Sequence, residues 1–201
     1  MHLRFSQEIK SLLQRLSDQN LSLGDILAET AERGFSVVIV LLALPFLFPM
    51  PPGLAGPFGA ACLLISVQMI FGRRSPWLPK QIAKYRFPRP FAQLLLKNLQ
   101  RLTRILEKIT RPRLKRIAKN PLTWRINGLC ISWLTILLML PIPFTNPIPT
   151  VGIILLAVAT IESDGLLIVF SYILTALITS LFAFIGYALW LGPSLLPAIL
   201  R

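Results

Sequence analysis

Two carboxylates, Glu162 and Asp164, follow directly on a long apolar stretch of this 201-residue chain. An acid beside a membrane-length apolar segment is costly to hold, and such groups commonly serve as ion or proton ligands. The alternative use is an ordinary interfacial acid or helix cap, and residue types alone do not separate the two. Asn146, inside a Pro-rich turn, adds an amide with both donor and acceptor capacity. Gln68 aligns with Asp164 in an internal comparison given below. Glu162, Asp164, Asn146 and Gln68 are therefore the candidate substrate- or ion-binding residues. Soluble-enzyme chemistry has little to work with. His2 is the single histidine, Cys62 and Cys130 lie within apolar runs, and Ser163 between two acids is not a triad. There is no phosphate-binding loop, nucleophile elbow or Cys/His metal spacing. We expect no catalytic residue, no bound metal and no cofactor, hence not an enzyme.

The elements that must position these side chains are apolar. Hydrophobic residues make up 54% of the chain, charged residues 14%, and mean hydropathy is +0.67. A soluble domain carries about 25% charged residues, so too little polar surface exists here to cover a water-soluble globule. Residues 166–191 hold no charge and are long enough for one transmembrane helix. Ser171, Thr175, Thr179 and Ala183 recur along it every four residues, a stripe suited to close helix packing or to lining a pore. Residues 35–71 and 126–161 are apolar hairpins interrupted by helix breakers. Pro45, Pro49, Pro51 and Gly56 interrupt the first; Pro141, Pro147 and Gly152 interrupt the second. Proline removes a backbone donor and clashes with the preceding turn, so a straight helix through either cluster is excluded. The first hairpin reads as helix from Phe35 to about Phe48 and again from about Phe58 to Phe71. Arms of fourteen residues rise about 21 Å, short of a hydrocarbon core of about 30 Å. Either the hairpins are re-entrant, or their Pro-rich turns reach the far surface.

The two hairpins align without a gap at an offset of 96 residues. Leu41, Leu42, Leu44, Pro45, Phe48, Pro51, Gly56, Ala61 and Ile65 fall on Leu137, Leu138, Leu140, Pro141, Phe144, Pro147, Gly152, Ala157 and Ile161. Apolar composition inflates such matches, but two prolines, a glycine and a phenylalanine in register point to an internal repeat.

Net charge is +13, and sixteen of the 21 basic residues lie between Arg73 and Arg125. Within this connector, 72–125, Phe91, Leu94, Leu95, Leu99, Leu102, Ile105, Leu106 and Ile109 form an apolar stripe. Lys97, Arg101, Arg104 and Lys108 lie away from it, as in a helix lying in the membrane interface. Flanking apolar segments make a cytoplasmic, anionic-lipid-facing segment the better reading than nucleic-acid binding. Arg73, Arg74, Arg101, Arg104 and Lys108 are the expected headgroup contacts. Residues 1–34 are amphipathic surface helix with no cleavable signal peptide expected. The expected fold is thus an all-α integral membrane protein. It is a single membrane domain, 1–201, of two Pro-broken hairpins, a basic interfacial helix between them and one C-terminal transmembrane helix. A homo-oligomer is expected, because so few helices can hardly enclose a solvated site.

Five segments resemble one family. ERGFS at 32–36, LPFLFPMPPG at 44–53, QMIFGRRSPWLP at 68–79, LPIPFTNPIP at 140–149 and IESDGLL at 161–167 are similar to the exopolysaccharide-synthesis ExoD family of bacterial membrane proteins. The resemblance covers about residues 22–170 and carries no catalytic residue with it. It implies a bacterial inner-membrane protein acting in envelope or polysaccharide biology. The function expected first is a small ion or solute transporter with its site at the paired hairpins; the alternative is a non-transporting partner or regulator of the exopolysaccharide machinery.

Overall fold

Uncharged, Leu- and Ile-rich segments have no better arrangement than helix, which satisfies every backbone group internally. A computed structural model describes residues 34–47, 55–73, 76–77, 79, 114–118, 120–140 and 145–199, and all of its regular elements are helical. Helix α1 is Gly34–Ala43 and tightens into a 3-10 turn, Leu44–Leu47; α2 is Ala55–Ile70 and α3 Lys115–Ala118. Helix α4 is Pro121–Met139, α5 Pro147–Glu162 and α6 Gly165–Ile199. Pro49, Pro51, Pro141, Arg74, Arg101, Arg104 and Lys108, the amphipathic segment 1–33 and the amphipathic stripe of the connector lie outside the described residues.

The helix ends follow local chemistry. Pro45 lies within the 3-10 turn that ends α1. Leu140, the residue before Pro141, is extended at φ −64°, ψ 137°, as the clash of a following proline ring requires. Asn120 starts α4 by accepting the Leu122 amide at 2.9 Å. The second hairpin therefore begins at Pro121, five residues before the expected 126. Two expected breakers break nothing. Gly56, with Pro57, sits in the first turn of α2, where backbone amides have no intrahelical acceptor and proline is tolerated. Gly152 lies inside α5, where an added Cβ would meet Leu134 Cδ1 at 3.0 Å and Ile178 Cδ1 at 3.1 Å; its role is packing.

Side-chain contacts give the directions of the helices. Opposite one another across α2 and α4 stand Gly59 and Met139, Cys62 and Thr135, Ser66 and Ser132, Met69 and Gly128. The two helices are antiparallel. Phe35 and Trp124 meet edge to face at 5.7 Å, so α1 and α4 start at the same end. Tyr172 bonds to Asn127 and Trp133 to Thr179, so α6 runs with α4. We call the end where α2 and α5 finish and α4 and α6 begin the foot, and the opposite end the tip.

Helix α1 packs on α2 and α5, and every residue from Phe35 to Phe46 is buried. It has no polar face to offer water, and serves as the apolar centre of the bundle. The outer faces are apolar too. Leu129, Trp133 and Ile136 of α4 are exposed, as are Phe170, Leu177 and Phe184 of α6. Contiguous exposed apolar surface of this kind marks a membrane or protein contact. Two helices, Pro121–Met139 and Gly165–Trp190, are long and apolar enough to cross a membrane.

Candidate functional site

Two groups of polar side chains in the described bundle are built by particular helix contacts, and a third stands at the helix ends of the foot. The first is the seam between α2 and α4. Gly128 lets the backbones meet: a Cβ there would lie 2.7 Å from Met69 Cβ, 2.8 Å from the Ser66 carbonyl oxygen and 2.9 Å from the Ile70 nitrogen. One turn on, the Ser132 hydroxyl donates to Ser66 Oγ at 2.8 Å, and Ser66 donates to the Leu63 carbonyl at 3.0 Å. A further turn on, Thr135 Oγ1 is 3.5 Å from Cys62 Sγ and donates to the Ile131 carbonyl at 2.7 Å. Small residues recurring every three or four positions are what close approach between membrane helices needs.

The second group joins α4, α5 and α6. Asn127 is buried; its Nδ2 donates to Thr160 Oγ1 at 2.8 Å, and its Oδ1 accepts from the Tyr172 hydroxyl at 2.6 Å. Thr160 passes its own proton to the Leu156 carbonyl at 2.7 Å. The chain of donors and acceptors is complete, as a polar group in an apolar setting requires. On α6, Ser171 and Thr175 donate to the Leu167 and Ser171 carbonyls, and Thr179 accepts from the Trp133 indole at 2.9 Å. The hydroxyl stripe is thus engaged from Ser171 to Thr179, while Ala183 is exposed.

The third group lies at the foot and contains three of the four candidate ligands. Gln68 grips the backbone of Trp77: its Nε2 donates to the Trp77 carbonyl at 2.8 Å, and its Oε1 accepts the Trp77 amide at 2.8 Å. The same Nε2 also donates to the Leu64 carbonyl at 3.1 Å. Asp164 is buried, and its Oδ1 accepts the Leu166 and Leu167 amides at 3.1 and 3.3 Å, capping α6. Ser163 before it is left-handed at φ 53°; its amide reaches the Thr160 carbonyl and that of Asp164 the Ala159 carbonyl, closing α5 in a Schellman turn. Glu162, the last residue of α5, is buried beside this turn. Gly165 completes the junction, since a Cβ there would come within 2.6 Å of the Leu114 carbonyl oxygen.

Asn146 does not join them. It precedes α5 at the tip, half-buried, and its carbonyl accepts from the Thr150 hydroxyl at 2.6 Å. Sixteen residues of α5 separate it from Glu162 by about 24 Å. Gln68 and Asp164, aligned in sequence, also differ in setting: one is inside α2, the other beyond the end of α5. Sequence reasoning passed over Asn127 and Gly128 altogether. A lone amide next to a glycine within an apolar run was the available signal.

Among the described residues these features define an all-helical arrangement of two helical hairpins and a long final helix, with two helices long and apolar enough to cross a membrane. The chain belongs to the ExoD exopolysaccharide-synthesis family: the family model described as "Exopolysaccharide synthesis, ExoD" matches residues 5–184. It is 34% identical over 187 residues to Protein ExoD of Rhizobium meliloti (strain 1021), covering 91% of this chain and 78% of that protein. It is also 30% identical over 191 residues to an uncharacterized protein of Synechocystis sp. (strain ATCC 27184 / PCC 6803 / Kazusa), covering 94% and 90% of the two chains. No solved structure gives a significant match.

Proposed function

We propose that this protein is a multi-pass inner-membrane component of exopolysaccharide synthesis that acts on a partner of that machinery and does not itself move a solute. The observation that carries this reading is the use of the candidate ligands. Gln68 holds a backbone segment, Asp164 caps a helix, and Asn146 stands at the opposite end of α5. The α2–α4 seam is closed to within the reach of a single Cβ. A transport reading has one observation in its favour, the burial of Glu162 and Asp164 close together at the foot.

Reconstitution of the purified protein in liposomes separates the two. We expect ion flux no greater than in protein-free vesicles, and cross-linking in cells to recover a polysaccharide synthase or export protein. Flux that is lost in a folded E162Q/D164N variant would establish transport instead; asparagine also caps helices, so D164N keeps the junction. Recovery only of copies of this chain would count against a partner.

We further read the hairpins as a parallel repeat. Their first helices end at Ala43 and Met139, which differ by the 96-residue offset. Exchanging the hairpins leaves the packing pattern unchanged: α1 on α2, α4 on α5, α1 on α5, and α2 on α4. The tips are read as re-entrant. Gly152 lies level with Ile178, so antiparallel α5 begins at about the level of Ala183. Helix α6 runs on past that level, and Tyr187 and Trp190, both exposed, lie about 6 and 10 Å further along. Aromatic residues of this kind mark a membrane interface. In a cysteine series lacking Cys62 and Cys130, a W190C variant should react with a membrane-impermeant maleimide added on the tip side. N146C should react much more slowly from that side; equal rates would mean that the tips reach the far surface.

A further inference from the structure

At the foot, α2 ends in exposed Phe71, 77% accessible, then Gly72 in the left-handed region at φ 73°, then exposed Arg73. The turn is rigid. The Gly72 amide donates to the Met69 carbonyl at 2.9 Å and the Arg73 amide to the Gln68 carbonyl at 3.1 Å. Gln68, itself buried, then fixes the backbone of Trp77 through two bonds of 2.8 Å, and Trp77 stays 56% accessible. Arg125, from the second turn of α4, lays its guanidinium against this turn: a Cβ on Gly72 would be 3.6 Å from Arg125 Nε. Arg73 follows Gly72 directly, so two arginines share one corner. The acids of the foot, Glu162 and Asp164, are buried while both arginines are exposed. Both arginines border one exposed turn, and guanidinium forks match phosphate oxygens.

We propose that Arg73, Arg125 and Trp77 form a headgroup site for an anionic phospholipid of the leaflet at the foot. The arginines take the phosphate, and Phe71 and Trp77 enter the boundary between headgroups and acyl chains. Exposed aromatics are what distinguish a lipid phosphate from a free one: at an interface the rings gain an apolar environment, whereas around a soluble ion they gain nothing. The site depends on the membrane reading above.

The test uses full-length protein in phosphatidylcholine vesicles containing either brominated phosphatidylglycerol or brominated phosphatidylcholine. Emission of Trp77 is obtained as the difference between wild type and W77F. Each arginine near a membrane surface enriches an anionic lipid about fivefold. Brominated phosphatidylglycerol should therefore quench Trp77 several-fold more than brominated phosphatidylcholine. R73Q/R125Q should remove that preference, and R101Q/R104Q/K108Q should keep it. R73Q alone, at an exposed position, should reduce the preference about fivefold and decides the matter if the double variant does not accumulate. Added inorganic phosphate should leave quenching unchanged. Equal quenching by the two lipids, a preference that survives R73Q/R125Q, or relief by inorganic phosphate would each overturn the site. Quenching by neither lipid would instead overturn the membrane reading on which it rests.

Discussion

Replacing Gly128 with alanine is expected to destabilise the protein by about 3 kcal/mol, and replacing it with valine to prevent its accumulation. Overpacking typically costs about 1–3 kcal/mol, and more where side chains cannot yield. Here two of the three nearest atoms, the Ser66 oxygen and the Ile70 nitrogen, are backbone of a helix that can yield only by moving as a whole. A loss of 3 kcal/mol is a large share of a total stability of about 5–15 kcal/mol. Gly56 is the control. Nothing lies within 4 Å of a Cβ added there, so G56A should change stability by no more than ~0.5 kcal/mol. Denaturation of the purified variants in mixed micelles measures both. A wild-type midpoint for G128A would mean that α2 and α4 do not touch at this depth.

The second large effect is expected at Asn127. Alanine there removes two hydrogen bonds and leaves the Tyr172 hydroxyl and Thr160 without their shared partner. Interhelical hydrogen bonds in membranes average ~0.6 kcal/mol and reach ~1.7, and an orphaned buried hydroxyl adds ~1–3 kcal/mol. N127A should therefore cost about 2 kcal/mol and loosen α6 from α4 and α5. Y172F should cost about 1 kcal/mol. Because both changes break one bond, N127A/Y172F should cost less than the sum of the single variants. Strict additivity in that cycle would mean that Asn127 and Tyr172 do not interact.

The helices are largely legible in the sequence. Absence of charge marks a membrane-length segment whatever it packs against, and Pro141 announces where α4 must stop, although α6 runs on through Pro193 and Pro197. Leu140, extended before Pro141, is a case where local sterics alone decide. Gly56 and Gly152 were not legible as they stand. They align in sequence, yet Gly56 is the second residue of α2 and faces open space, while Gly152 is the sixth of α5 and lies between Leu134 and Ile178. Where each helix starts sets this difference, and α4 and α6 close over Gly152. The candidate ligands failed as a set for a related reason. Residue type and nearness to an apolar stretch identify polar groups that need a partner, but not which partner they find. Gln68 finds the backbone of Trp77, and Asp164 the first amides of α6.

The sequence by itself determined an all-helical, membrane-suited chain, its two Pro-interrupted hairpins, the concentration of positive charge between them and the family to which it belongs. These depend on composition, periodicity and local sterics, which are written residue by residue. Only the tertiary structure decided that α1 is the buried centre, that Gly128 closes the α2–α4 seam and that Asn127 ties three helices together. It alone brought Arg73 and Arg125 to one corner at the foot. Those outcomes depend on which faces meet, and residues as far apart in the chain as Asn127 and Tyr172 become neighbours only when helices pack.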